Sequence, residues 1–145
     1  MSMHFVGLIY AIGAALAWGL AYTIDQKILA DTSPAVLLFV SFIIGAILLL
    51  PAVLTQGGSL VSVLNLDRTR LLLILFSIML ATLANYLIFA SIERVGASLA
   101  SVFEIVYPFF VFLFSFLIFG SELNASVIAG SLLIFAGSAI IMRFG

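Results

Sequence analysis

Apolar residues along this chain do not alternate with polar ones at the period of a half-buried strand or of a surface helix. They come in five long blocks, at 5–24, 35–54, 71–92, 97–119 and 125–142, divided by short polar breaks. Four of the blocks carry no charged side chain, and 97–119 carries only Glu104. Each is about 18 to 23 residues long, enough at ~1.5 Å per residue to cross a hydrocarbon core of roughly 30 Å. The pattern predicts an all-α membrane protein, a single transmembrane domain over residues 1–145 with five spanning helices. A soluble bundle would need a polar stripe on each helix for water, and no block has one. The first block lacks a basic leader, and its end, AWGLAYTIDQ, offers no small-x-small cleavage site, so it is read as a span.

The breaks, at 25–34, 55–70, 93–96 and 120–124, are short, so consecutive helices run antiparallel. The longest, TQGGSLVSVLNLDRTR, mixes Gly57 and Gly58 with leucine and valine and is expected to form an interfacial half-turn. Five spans put Arg68 and Arg70 on one side of the membrane and Lys27, Arg94 and Arg143 on the other. Excess lysine and arginine mark the cytoplasmic side. So even a division sets no orientation, and the chain is expected to insert both ways. A unit that does so can pair with an inverted copy of itself, as inverted repeats do within longer transporters. The alternative is a fixed orientation set by other determinants.

Composition sharpens the reading. The chain is 66% hydrophobic and 8% charged, where a soluble domain is nearer a quarter charged. It has no cysteine, which removes disulfides and thiolate metal sites. The single histidine, His4, has no clustered partners and reads as an interfacial residue. A net charge of −1 with scattered basic residues gives no footprint for nucleic acid. No metal constellation, nucleophile triad or phosphate-binding glycine loop is present, so neither enzyme activity nor a cofactor is expected.

The chemistry therefore concentrates on Glu104, within SVFEIVYPFF. A charge in the middle of a span costs about 2.5 to 3.5 kcal/mol on insertion scales, so such groups face a bundle interior or a wet cavity. At helical spacing Glu104 shares a face with Ala97, Ala100, Ser101, Tyr107 and Pro108, and the small residues among these let neighbouring backbones approach. Pro108 has no amide hydrogen for the carbonyl of Glu104, so the helix is expected to open there. A freed carbonyl in hydrocarbon needs a side chain, water or ligand.

A hairpin turning at Arg94 and Val95 sets Asn85 level with Glu104, and Thr82, Asn85 and Phe89 share one face of the third helix. The first helix ends on the same side and brings Trp18 and Tyr22, four apart, with Asp25 near the mouth. One pocket lined by Trp18, Tyr22, Asn85, Glu104 and Tyr107 is the expected substrate site. Removal from water disfavours an ionised carboxyl, which suits Glu104 to proton coupling or to recognition of a cationic substrate. Each residue also has a purely structural reading. Trp18 and Tyr22 fit an interfacial aromatic belt, Asn85 an interhelical bond, and Glu104 a protonated, hydrogen-bonded acid. Glu122 is read as structural, favouring the positive end of the last helix, which Asn124 would cap. Ser126, Gly130 and Gly137 share a face and are expected to form a close helix contact, within or between protomers.

Three stretches, AALAWGLAYTIDQKIL, FASIERVGASLASVFEIVYPFF and FGSELNASVIAGSLLIFAGSAII, together resemble the EamA-like domain of the drug/metabolite transporter superfamily. The likeness covers nearly the whole chain. It implies a five-helix unit, one half of an inverted-repeat fold whose common members join two copies into ten helices that move small metabolites. It therefore implies a homodimer or a homologous partner half. Pro108 and Glu122 match familiar positions of the family, whereas the position of Glu104 varies in it.

The expected function is small-solute transport across the inner or plasma membrane, by alternating access in an antiparallel homodimer. A non-transport membrane subunit, or half of a heteromeric transporter or of a lipid-carrier flippase, is the alternative. The flippase ranks lower, because the arginines needed for phosphate sit at the membrane edges.

Overall fold

The computed structural model describes residues 3–55, 63, 65–122 and 125–144, with side chains from residue 5 onward. Six helices account for most of them: α1 (Met3–Ile28), α2 (Pro34–Thr55), α3 (Arg68–Val95), α4 (Ala97–Glu104), α5 (Tyr107–Phe119) and α6 (Ala125–Phe144). Helices α4 and α5 together make one span, so five segments are long and apolar enough to cross a membrane. No strand occurs among the described residues. The half-turn expected in the second break falls mostly on residues 56–62 and 64, outside the described set, as do Asn124 and the side chain of His4.

The helices outrun the apolar blocks. α1 continues through Asp25, Gln26 and Lys27 to Ile28, and α3 takes in Arg68 and runs through Glu93 and Arg94 to Val95. Polar side chains at the interface leave the backbone hydrogen-bond ladder intact, and in hydrocarbon that ladder is the only satisfaction available to the main chain. The breaks at 25–34 and 93–96 are accordingly shorter than the polar residues suggest.

Helix ends follow local chemistry. α2 opens on Pro34, whose missing amide hydrogen costs nothing at a first helical position. Asp67 caps α3 by accepting from the Arg70 amide at 3.3 Å. Gly96 ends α3 and leads into α4 at φ +84°, a backbone angle that side-chain-bearing residues rarely adopt. Its N–H bonds the Ile92 carbonyl at 2.9 Å. Gly120 closes α5 in the left-handed region at φ +63°.

Packing is concentrated where the α1–α2 and α3–α4 turns meet. Tyr22, Leu29, Leu38, Phe89, Ile92, Ala97 and Ala100 form the buried cluster there. Ala100 is 1% exposed. Lipid is as apolar as leucine, so helices associate through close packing and polar bonds, which favours small residues at contacts. Gln26 adds one such bond: its Oε1 accepts from the Ala97 N–H at 2.7 Å, giving a partner to a first-turn amide of α4.

Helix α6 departs from expectation. A Cβ added at Gly130 or Gly137 would meet nothing within 4 Å, so these two glycines make no close helix contact among the described residues of the chain. The packed positions are Ser131 and Ser138, both buried. At Ser138 the hydroxyl donates to the Val102 and Ile134 carbonyls, so the small side chain adds bonds as well as a close approach.

Candidate functional site

Pro108 divides the fourth span, and the division is wider than a missing proline amide alone requires. α4 stops at Glu104, Ile105 and Val106 form a turn, and α5 begins at Tyr107. The Ile105 amide still reaches back four residues, donating to Ser101 at 3.0 Å. The Val106 amide donates to Phe103 at 3.3 Å and the Phe109 amide to Val106 at 3.1 Å, each only three residues back. That tightening bypasses the carbonyls of Val102 and Ile105, while Pro108 leaves that of Glu104 without its amide donor. The Val102 carbonyl finds a replacement in Ser138 of α6, whose Oγ donates to it at 3.2 Å and shares its proton with Ile134 at 3.0 Å. Ser138 is 5% exposed. Sequence reasoning anticipated a freed carbonyl at Glu104 and missed both Val102 and its partner.

Beside this break lies a cleft of about 950 Å³ between α1, α3, α4 and α6, with Tyr107 of α5 at its edge. It borders residues 81–88 of α3 and the segment around the α4–α5 break, near the middle of the spanning segments. Alanine and glycine from α1, α3 and α6 line much of it, which is why backbones standing close together still leave room between them.

Trp18, Tyr22, Asn85, Glu104 and Tyr107 all border this one cleft. Tyr22, 7% exposed, donates its hydroxyl to Glu104 Oε1 at 3.0 Å, linking α1 to α4 across 82 residues of sequence. Trp18 leans on Tyr22 with ring centroids 5.3 Å apart and is itself 50% exposed. Glu104 is half-buried. Asn85 is level with it but turns its amide to its own helix, donating to Ala81 at 2.8 Å, and so makes no interhelical bond through that group. Thr82, expected on the same face, instead borders a smaller hollow between α2 and α3. Asp25 does not line the cleft, and Glu122 is exposed in the turn before α6.

Gln26 and Ser138 are the polar residues that sequence reasoning passed over. Ser138 stands seven residues after Ser131, a spacing that returns to one helix face, and that repeat was a usable signal. Nothing local marked Gln26, because its acceptor role depends on where the α3–α4 turn lies in space.

Five spanning helices around a largely apolar cleft that holds a few polar side chains define a multi-pass membrane protein. Residues 5–143 match the EamA-like transporter family, and the chain belongs to that family. It is 26% identical over 139 residues to an uncharacterized transporter from Clostridium kluyveri, a match covering 96% of this chain and 44% of that protein. The chain thus spans less than half the length of this curated relative. No solved structure matches it. Family and relative point to a transporter of the drug/metabolite superfamily rather than to an enzyme.

Proposed function

We propose that the chain is one half of a small-solute carrier, with the cleft at Glu104 as its solute site. One observation carries this reading: a half-buried carboxylate, held by Tyr22 beside an opened helix, faces a cleft of about 950 Å³ amid spanning helices. That volume lies at the upper end of the range for small-molecule sites. An acid in a span is expected to serve a substrate or ion path.

A second unit completes the carrier. The match to 44% of the relative's length supports a partner of similar size, and the near-even division of basic residues supports a second copy inverted in the plane of the inner or plasma membrane. Rocking of the two units would expose the cleft to each side in turn, with Glu104 exchanging a proton for solute. The same length match favours a homologous but distinct half as the second reading.

Purified protein in liposomes, screened for uptake with a panel of radiolabelled metabolites and amines, tests the proposal. Flux is expected in the native chain, reduced at least about tenfold in Glu104→Gln and unchanged in Glu122→Gln. Equal flux in both variants removes the cleft as the solute site. Tight co-purification with another membrane protein and no flux from the purified chain alone supports the distinct-half reading.

A further inference from the structure

Resting on the reading of the cleft as the solute site, we infer that its occupant is an organic monocation, a protonated amine on an apolar body. The inference comes from which hydrogen-bonding atoms the cleft has already used. Tyr22 donates its hydroxyl to Glu104 at 3.0 Å, Asn85 its amide to Ala81 at 2.8 Å, and Ser101 its hydroxyl to Ser98 at 3.0 Å. Ser138 donates to Val102 and Ile134. At the helix break the amides of Ile105, Val106 and Phe109 are bonded to carbonyls, and Pro108 has none. The Tyr22, Ser101 and Ser138 hydroxyls and one Asn85 amide hydrogen are thus engaged, which leaves the cleft only neutral donors, the second Asn85 hydrogen among them.

Acceptors remain. Glu104 Oε1 takes the Tyr22 proton, and Oε2 has no bond among the described residues. The carbonyls of Glu104 and Ile105 stand at the break without their regular helical donors. No lysine, arginine or histidine is among the described residues lining the cleft, so the carboxylate has no protein counter-ion there. A site rich in acceptors and carrying net negative charge selects a group that brings both donors and positive charge, and an alkylammonium brings both.

The rest of the lining fits the rest of such a molecule. Trp18 and Tyr107 border the cleft with exposed ring surface, and aromatic faces attract a cation placed over them. Alanine, glycine, isoleucine and valine supply apolar wall for the body. The indole N–H and the Tyr107 hydroxyl are neutral donors and do not balance a carboxylate. An anion would meet Glu104 with no cation to offset it. A zwitterionic amino acid would seat its amine and leave its own carboxylate unpaired, a costly arrangement away from water.

Trp18 is the sole tryptophan of the chain, so its fluorescence reports this cleft alone. The full chain in detergent is titrated with phenethylamine and, at equal concentrations, with phenethyl alcohol, 3-phenylpropanoate and phenylalanine. Excitation falls on indole, beyond the absorbance of the phenyl probes. Phenethylamine is expected to shift the emission at concentrations at least about tenfold lower than the alcohol or the zwitterion, and the anion is expected not to compete. Glu104→Gln should abolish that preference and Glu104→Asp retain much of it, with helix content by circular dichroism confirming that each variant folds. The native series decides the matter even if a variant does not fold. Equal or stronger response to the alcohol, the zwitterion or the anion, or no response to any probe, overturns the inference. Liposome flux of a neutral or zwitterionic solute that still depends on Glu104 would leave the carrier reading standing while this one falls.

Discussion

The two halves of the fourth span share one stretch of chain and lead opposite lives. In α4, ASLASVFE, Ala97 and Ala100 are buried, and the helix packs on α1, α3 and α6. In α5, YPFFVFLFSFLIF, no residue is buried and the ring contacts are with its own neighbours and with Phe135 of α6, at 5.8 Å. By the rule that holds in water, the phenylalanine-rich α5 would be the core helix and the serine-bearing α4 the surface one. The lesson is that in a membrane the size of a side chain, rather than its apolarity, decides which helices meet, because lipid already satisfies a phenylalanine.

That contrast breaks most visibly at Ala100. Replacing it with leucine forces an isobutyl group in place of a methyl at a site that is 1% exposed, and overpacking of this kind costs about 1–3 kcal/mol. Thermal unfolding in detergent should show a clear fall in midpoint. An unchanged midpoint would mean that α4 is not packed as described. Next in size is Ser138→Ala, which removes the donor to the Val102 carbonyl. It should cost about 1–3 kcal/mol by the same measurement, the range for an unsatisfied buried group, and retention of stability would show that the carbonyl has another donor. Smallest is Leu117→Ala on α5. Leu117 is largely exposed, and the change should stay within about 0.5 kcal/mol for the isolated unit. A larger loss would reveal a partner seated on α5.

Much of the architecture was legible because the physical rule behind it is one-dimensional. A charge-free run of sufficient length spans, and short breaks force antiparallel neighbours. Helix ends were less legible, since Asp25, Gln26 and Lys27 remain helical beyond the apolar run. Depth could be counted from a turn at Arg94 and Val95, so Asn85 and Glu104 were set level, and both border the cleft. Which way a side chain turns could not be counted. Asn85 bonds its own helix, Thr82 faces α2, and Gly130 and Gly137 stand clear of other helices while Ser131 and Ser138 are buried. Those outcomes depend on helix rotation, which is set by all the neighbours together.

The proline break shows the same limit at finer scale. Pro108 announced a lost bond at Glu104, yet the chain answered by tightening two further turns and lending the Val102 carbonyl to another helix. Opening a helix in hydrocarbon is tolerated where other groups take up the freed acceptors. Ser138, itself at the wall of the cleft, does so for the Val102 carbonyl.

Whether water reaches Glu104 is the point on which the account turns, and the native absence of cysteine makes it directly measurable. Single cysteines at Ala84, which lines the cleft, and at Met79, on the same helix but outside it, are treated in membranes with a charged, water-soluble thiol reagent. Ala84→Cys should label readily and Met79→Cys should not, with Glu104→Gln leaving both patterns intact. Labelling of Met79→Cys with Ala84→Cys silent would place the wet surface elsewhere and contradict the account.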